Sequence, residues 1–220
     1  MEWMEAIKAR HSVRTYRPVP IESEKVAVLS ETAARLSRES GLHIHLITEE
    51  PEAFIGARAH YGSIRGCTNY FVLVGEPGRE EAVGYYGEQL VLQAQLLGLN
   101  TCWVALTYNK RKVPVVIPER EKLYVVVALG YGETPGVPHK SKPLESRCTV
   151  AGEMPDWFRR GMEAALLAPT AINQQKFHLT LAGDNVTATA LTGPYSKMDL
   201  GIVKFHFEVG AAPYPFVWSQ

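Results

Sequence analysis

Apolar and polar residues recur along the chain with two different periods, which predicts a mixture of helices and strands. The stretch "IESEKVAVLSETAARLSRESG" has apolar residues at spacings of three and four, so it is predicted to be an amphipathic helix that stops at Gly41. "LHIHLIT" alternates and is rich in β-branched residues, which predicts a strand from Leu42 to Thr48. "NYFVLVG" and "KLYVVVALGYG" are apolar throughout, which indicates strands buried on both faces, the second one central.

The remaining segments continue this alternation. Helices are predicted at Glu2 to Ala9 and in "GREEAVGYYGEQLVLQAQLLG", "MPDWFRRGMEAALLA" and "KMDLGIVKFHFEVGA". Strands are predicted in "NTCWVAL", "KFHLTLAG" and "TATALTG", and "PYPFVW" is predicted to be extended. "TPGVPHKSKP" is excluded from a sheet interior because its prolines lack backbone donors. The fold class is therefore α+β, with helices flanking a central, mainly antiparallel or mixed sheet.

The predicted order of helices and strands occurs twice along the chain, which indicates an internal duplication. "LSETAARLSRESGLHIHLI" and "GMEAALLAPTAINQQKFHLTL" both run helix, break, strand. Gly87 and Gly201 each open a helical run, and a tryptophan follows 16 residues later at Trp103 and 17 residues later at Trp218. We expect a first half at 1–150 and a shorter second half at 151–220, together in one compact unit. The alternative is chance, because helix–strand alternation is common and the identities are few.

Charge and composition narrow the class of protein. Lys plus Arg and Asp plus Glu number 23 each, and this zero net charge argues against a nucleic-acid or membrane-surface binder. No apolar run reaches the roughly 18 residues of a transmembrane helix, and the first residues lack the apolar core of a signal peptide. The three cysteines lack disulfide or metal spacing. We therefore expect a cytoplasmic protein.

The segment "RHSVR" is a candidate phosphate site. Side chains at i, i+2 and i+4 of an extended backbone share a face, so Arg10, Ser12 and Arg14 are expected to converge, with His11 between them. Two guanidinium groups and a hydroxyl are suitable donors for a dianion. The alternative is a solvated basic loop.

Two later segments also carry candidate ligand groups. "APTAIN" offers Pro169, Thr170 and Asn173, and an Asn amide both donates and accepts, which suits the edge of a heterocycle such as a flavin pyrimidine ring. "HKSKP" adds Lys140 and Lys142 as a possible second source of positive charge for a phosphate. The alternatives are a helix-terminating turn with a local Asn cap and a solvated basic surface.

Several other signals are interpreted as structural. "GYGETPG" follows a strand but no helix comes next, so it lacks the helix N-terminus of a dinucleotide-binding turn. Cys102 lies in a buried strand pattern, which argues against a nucleophilic thiolate. Four histidines lie in helix or strand patterns and are interpreted as structural residues rather than metal ligands: His43, His45, His178 and His206.

Taken together, these segments resemble the FMN-dependent nitroreductase family. "RHSVRTYRPVPIESEKV" resembles the family's N-terminal Arg-x-Ser-x-Arg/Lys signature, and "AALLAPTAINQQKFHLTL" resembles its A-x-x-A-P-S-x-x-N-x-Q-P-W segment, with Thr170 in place of Ser. "LLGLNTCWVAL" resembles the G-L-G-x-x-W junction, and "HKSKPLES" resembles the basic R-K-P-L-E close.

The resemblance implies a nitroreductase-like fold and a bound FMN. Arg10, Ser12, Arg14 and Lys140 or Lys142 would hold the phosphate, and Pro169, Thr170 and Asn173 would hold the ring and ribityl chain. The start of the strand at Thr101, through Ala105 and Leu106, would run near the ring through backbone amides. NADH or NADPH would reduce the flavin, which would then reduce a nitroaromatic, quinone or related acceptor in ping-pong fashion. No catalytic acid or base is assigned.

One departure from the family concerns the order of the motifs. In ordinary members the Asn-bearing segment follows the arginine segment within a few tens of residues, and two identical chains share each flavin. Here "ARLSRESGLHIHL" lacks that motif, which instead follows "MPDWFRRGM" in the second half. The chain thus resembles a divergent, pseudo-dimeric subgroup, the TM-type nitroreductases. We expect a monomer, or a dimer through a surface that does not bind flavin.

Two alternatives remain open at the level of sequence. A flavin carrier or sensor would keep the cofactor contacts without turnover, and a degenerate structural member would bind no cofactor. The physiological substrate and the choice between NADH and NADPH are expected to depend on loops at Glu50 to Arg65 and Thr107 to Pro118.

Overall fold

The structure, a computed structural model, describes residues 2–55 and 63–219. These residues form two compact units, and each unit is assembled from separate stretches of chain. The terminal unit comprises the chain up to Ala9, 80–89 and everything from His139 onward. The middle unit comprises 10–79 and 90–138. Part of the expected loop at Glu50 to Arg65, namely 56–62, lies outside the described residues.

The middle unit is built on a four-stranded antiparallel sheet. Its strands are β1 (His43–Ile47), β2 (Asn69–Gly75), β3 (Asn100–Val104) and β4 (Lys122–Gly130), in the order β1-β2-β4-β3. Every residue of β2 is buried, as its uninterrupted apolar sequence predicts, and β4 is central. Helix α2 (Ser23–Ser40) contacts β1 through its apolar stripe and ends at Gly41, whose φ of 71° is left-handed.

The terminal unit has a second, mixed four-stranded sheet. Its elements are α1 (Trp3–Ala9), the first part of α3 (Glu80–Leu96), β5 (Cys148–Val150), α4 (Asp156–Ala165), β6 (Phe177–Ala182), β7 (Asn185–Ala190), α5 (Ser196–Ala211) and β8 (Val217–Ser219). The strand order is β5-β6-β7-β8, and only the β6–β7 pair is antiparallel. The predicted α+β class is confirmed, but with one sheet in each unit instead of a single central sheet.

The units do not follow the expected boundary after residue 150. Strand β5 lies before that boundary, yet it pairs in parallel with β6 of the terminal unit. The first ten residues of α3 also belong to the terminal unit, where they pack on α5. The sequence prediction missed β5 because three residues are too few to show a period of two.

The order helix, strand, strand, helix, strand occurs twice, as the predicted duplication requires. It is first formed by α2, β1, β2, α3 and β3, and again by α4, β6, β7, α5 and β8. The duplication itself stays a prediction, supported by this repeated order.

The crossing of α3 and α5 adds a reciprocal feature. A Cβ atom placed on Gly84 would lie 1.9 Å from the carbonyl oxygen of Met198, and one placed on Gly201 would lie 1.9 Å from that of Glu81. The two pairs are related by the same shift of 117 positions, from 84 to 201 and from 81 to 198. The structure therefore relates Gly201 to Gly84, one helical turn before the Gly87 expected from sequence.

Candidate functional site

The arginine segment of the middle unit is extended and fixed by backbone hydrogen bonds on both sides. Val13 N–H donates to Thr101 O at 3.0 Å, and Arg17 N–H donates to Tyr131 O at 2.8 Å. Arg65 N–H donates to Arg14 O at 2.8 Å. These bonds hold the segment against the end of the sheet, so the positions of its side chains are set by the fold.

Arg10, Ser12 and Arg14 lie around one buried thiol, that of Cys102. Burial raises the pKa of Cys102, whereas Arg14, Arg10 and a hydrogen bond with Ser12 act to lower it. Arg10 is 4% exposed, Ser12 is partly buried and Arg14 is exposed. The three side chains that the extended pattern places on one face thus act on the same buried thiol, and their exposure increases from Arg10 to Arg14.

His11 is covered by the chain that follows β4. Gly136 has a φ of 79°, and a Cβ atom there would lie 2.8 Å from His11 Cβ and 3.2 Å from Ser12 O. Only a glycine allows this close approach in a left-handed conformation. The glycines of "GYGETPG" therefore serve packing over the arginine segment, in agreement with the rejection of a dinucleotide fingerprint.

The predicted ligand residues in and just after β3 differ in their exposure to solvent. Thr101 is 2% exposed, pairs with Leu129 and accepts the Val13 bond through its carbonyl, so it supports the arginine segment and its side chain is closed to a ligand. The expected contact of Thr101 through its backbone amide stays a prediction. Ala105 and Leu106 lie beyond Val104, the last residue of the strand, and Leu106 is 70% exposed. Contact through backbone amides stays a prediction for these two residues.

The "APTAIN" segment forms a tight turn in the terminal unit. Two of its residues have left-handed φ values, Ile172 at 48° and Asn173 at 54°, and so does Gln175, two residues further on, at 48°. Such a conformation costs roughly 1–2 kcal/mol per residue, so the turn needs strong support. Asp199 on α5 accepts from Ala171 N–H at 3.1 Å, which anchors the first half of the turn.

The basic segment and this turn are joined within the terminal unit. Asn173 Nδ2 donates to Lys140 O at 3.0 Å, and Lys142 Nζ donates to Gln174 O at 2.8 Å. The Lys140 side chain and Asn173 are exposed, and Pro169 and Thr170 are partly buried. The structure therefore brings together the five candidate residues of this unit, with the Lys142 ammonium already engaged.

Comparison with protein families decides the identity of the chain. The family described as "Putative TM nitroreductase" matches residues 2–211. The chain belongs to this nitroreductase family. No curated protein matches it. Family membership places the chain among oxidoreductase enzymes.

Solved structures of other proteins share the fold of this family member. A "putative nitroreductase" from Thermotoga maritima MSB8 has a TM-score of 0.65 at 20% identity, and the match covers 96% of this chain and 83% of that one. A nitroreductase from Desulfovibrio desulfuricans, in complex with FMN, has a TM-score of 0.52 at 16% identity over 70% of this chain and 98% of that one. A protein from Bacteroides thetaiotaomicron, named an NADH dehydrogenase/NAD(P)H nitroreductase, has a TM-score of 0.51 at 18% identity over 66% of this chain and 94% of that one.

Three supporting residues of this family member were missed at the sequence level: Gln174, Gln175 and Asp199. The two glutamines are 9% and 1% exposed and Asp199 is 4% exposed, so all three are buried polar groups. The two glutamines appear in the sequence as the pair of amides in "NQQKF", directly before a strand, where a solvated turn is the simpler reading, and Gln175 also matches the Gln of the family's N-x-Q-P-W segment.

Metal and membrane features are lacking in the described part of the chain. Within 2–55 and 63–219, no group of three or more His, Cys, Asp or Glu residues could hold a metal ion. The same residues contain no helix that is long and apolar enough to cross a membrane. His206 is fully buried against Glu88, in agreement with its interpretation as a structural residue.

Asp199 should make the stability of the protein depend on pH. Burial raises its pKa to about 6, above the 3.8 of an ordinary Asp, although bonds from Gln174 and Ala171 act to lower it. Between these two values the folded chain binds more protons than the unfolded chain, so the free energy of unfolding should fall as pH rises from about 4 to about 6. The part due to Asp199 is about 3 kcal/mol.

The variant Asp199→Asn should lack that part of the decline. One amide oxygen can accept from both Gln174 and Ala171, so the turn keeps its bonds. Urea unfolding at several pH values between 4 and 7.5 measures the difference. The free energy of unfolding of the variant, relative to that of the wild type, should increase as pH rises. Glu153→Gln, which removes an exposed carboxyl group from the same unit, is the control. Parallel pH profiles for wild type and Asp199→Asn would contradict the prediction.

Proposed function

We propose that the protein is an FMN-binding oxidoreductase that takes electrons from NADH or NADPH and passes them to a nitroaromatic, quinone or related acceptor. The observation that carries this proposal is the extended, hydrogen-bonded arginine segment of the middle unit, from which Arg10, Ser12 and Arg14 all act to lower the pKa of the Cys102 thiol. Family membership and the FMN complex of the Desulfovibrio desulfuricans protein support the choice of cofactor. The name of the Bacteroides thetaiotaomicron protein supports a nicotinamide donor.

The arginine segment fits a phosphate monoester. A dianion accepts several charge-assisted hydrogen bonds at once, and guanidinium groups supply paired donors in a fixed plane. Arg10 is nearly inaccessible while Arg14 is open, so one guanidinium provides positive charge in a low-dielectric position and the other can close on a ligand. Neither Lys140 nor Lys142 is required for this assignment, and the Lys142 ammonium already binds Gln174 O.

The turn at Pro169 to Asn173 fits the polar groups of a flavin. The Asn173 amide uses one of its two N–H groups for Lys140 O and one lone pair for Gln175, which leaves one donor and one acceptor. These remaining groups suit the alternating donors and acceptors of a pyrimidine edge. Backbone amides at Ala105 and Leu106 are the proposed further ring contacts.

Bound FMN supplies the hydride chemistry, and the chain supplies binding and orientation. Arg10 and Arg14 would neutralise the phosphate, and the rigid turn would hold the amide of Asn173 in place. Each proposed motif occurs once in the sequence, so we expect one FMN per chain. A cytoplasmic location also stays a prediction.

The decisive test is the visible spectrum of the purified protein, with mass spectrometry of the released cofactor. Yellow protein that releases FMN and is bleached by NADH or NADPH without oxygen would support the proposal. Bound FMN that no nicotinamide reduces would instead indicate a flavin carrier or sensor. Colourless protein that fails to bind added FMN would contradict the proposal.

Arg14→Ala should weaken FMN binding about ten- to a hundredfold, because a charged hydrogen bond to the phosphate is lost. Riboflavin lacks the phosphate and should bind the variant and the wild type alike. Fluorescence titration with both flavins measures the difference. Arg17→Ala, which removes an arginine that lies over the Tyr131 ring from the same segment, is the matched control. Equal losses for FMN and riboflavin would show that Arg14 has another role.

A further inference from the structure

The Gln175 side chain joins the turn to the basic segment. It is 1% exposed, and its Oε1 accepts from the backbone N–H of Lys142 at 2.8 Å. Its Nε2 donates to Lys140 O at 3.0 Å and to Asn173 Oδ1 at 2.9 Å. Its own backbone N–H donates to Thr170 Oγ1 at 3.0 Å. One buried residue thus contacts most of the candidate ligand residues of the terminal unit.

Backbone groups determine the orientation of this amide. A backbone N–H can only donate, so the group of Gln175 that faces Lys142 N–H must be the oxygen. The NH2 group then faces Lys140 O, which can only accept. Both ends of the Gln175 amide are therefore fixed by atoms that cannot exchange roles.

The fixed Gln175 amide in turn determines which atom of the Asn173 amide faces it. Because Gln175 Nε2 donates to Asn173, the atom of Asn173 that receives this bond must be Oδ1. Asn173 Nδ2 then faces Lys140 O, to which it donates at 3.0 Å. Without Gln175, the bond to Lys140 O would remain, but the second of the two contacts that direct the exposed Asn173 amide would be lost.

We propose that Gln175 is a positioning residue for the flavin ring: it fixes the direction in which Asn173 presents its free N–H and its free lone pair. This inference rests on the proposed function, since it assumes that Asn173 meets the ring. It also accounts for the cost of the turn, because the left-handed residues Ile172, Asn173 and Gln175 bring the two amides face to face.

Two substitutions separate orientation from packing. Gln175→Glu places oxygen atoms against Lys140 O and Asn173 Oδ1, so it opposes the orientation of the Asn173 amide that the Lys140 O bond favours. Gln175→Met keeps the length of the side chain and leaves Lys140 O to direct the Asn173 amide without the support of Gln175. The matched control is Asn185→Asp, which makes the same change from amide to carboxylate at an exposed position of the same unit.

The measurements are the dissociation constants of FMN and riboflavin and the reduction potential of bound FMN. Gln175→Glu should weaken both flavins by about tenfold or more, Gln175→Met by a smaller factor, and both should shift the potential. A residue that only supports packing would lower thermal stability without moving the potential. Unchanged affinities and potential in Gln175→Glu would overturn the inference. Failure of the wild type to bind FMN would instead contradict the proposed function.

The wild-type protein allows a second test if the variants do not fold. The side-chain N–H protons of Gln175 should exchange slowly with solvent in NMR spectra of the flavin-free protein, because both are hydrogen bonded and buried. Slow exchange supports the assigned orientation. Exchange as fast as that of an exposed amide, such as Asn185, would overturn it.

Discussion

Replacement of Gly201 by alanine should destabilise the protein by about 3 kcal/mol, although alanine favours helices over glycine by roughly 1 kcal/mol. The new methyl carbon would lie 1.9 Å from Glu81 O and 2.6 Å from Tyr85 N. Both are backbone atoms, so no rotamer change relieves the clash, and α3 and α5 must move apart. Gly84→Ala should have a similar effect, because its methyl group would meet Met198 O.

The double variant provides a sharper measurement than either single one. Once the helices have separated for one methyl group, the second has space, so the two costs should not add. Chemical unfolding of the wild type, both single variants and the double variant gives the coupling energy. Ser30→Ala, on the exposed face of α2, is the control for helix propensity and should be neutral or slightly stabilising. A stabilised Gly201→Ala protein would contradict the described crossing.

Removal of the Glu88 carboxylate should also cost about 3–5 kcal/mol, the range for breaking a buried pair by deleting one partner. Glu88 and His206 are both fully buried, and His206 Nε2 lies 2.9 Å from Glu88 Oε1. His206 Nδ1 lies 3.1 Å from Ala164 O, which can only accept, so Nδ1 carries a proton. One further proton is then shared between Nε2 and the carboxyl group.

Two variants distinguish the charge of Glu88 from its hydrogen bond. Glu88→Ala leaves His206 without its partner and should show the full loss. Glu88→Gln supplies an amide N–H that can donate to Nε2 of the neutral ring, so its loss should be smaller. Chemical unfolding near neutral pH compares them, and Glu163→Ala, at an exposed position of α4, is the control. A loss below about 1 kcal/mol in Glu88→Ala would show that the pair contributes little.

Local patterns predicted most elements of the fold. The bounds of β2 agree with the apolar run "NYFVLVG". A strand that is buried on both faces is apolar along its length, so the ends of the run mark the ends of the strand. Gly41 marked the end of α2 because a left-handed residue there favours glycine. The division into units could not be predicted, since it depends on the pairing of β5 with β6, between distant parts of the chain.

The candidate site shows the same limit. "RHSVR" predicted an extended segment with Arg10, Ser12 and Arg14 on one face; the structure shows the extended segment, and all three residues act on the pKa of Cys102. The burial of Thr101 and the roles of Gln175 and Asp199 depend on partners that lie far along the chain, and no local pattern reveals them. The sequence pairing of Gly87 with Gly201 was displaced by one helical turn, because helix period alone does not distinguish which glycine meets the other helix.

The glycine crossing also affects how mutations act on this protein. In an assembly of two identical chains, one codon would specify the glycine on both sides of such a contact, so any mutation would change both glycines at once. Here two separate codons specify Gly84 and Gly201, so a single mutation changes one glycine of the contact and leaves the other unchanged. The same independence applies to every position of a duplicated chain, so one copy of a motif can drift while its counterpart is retained.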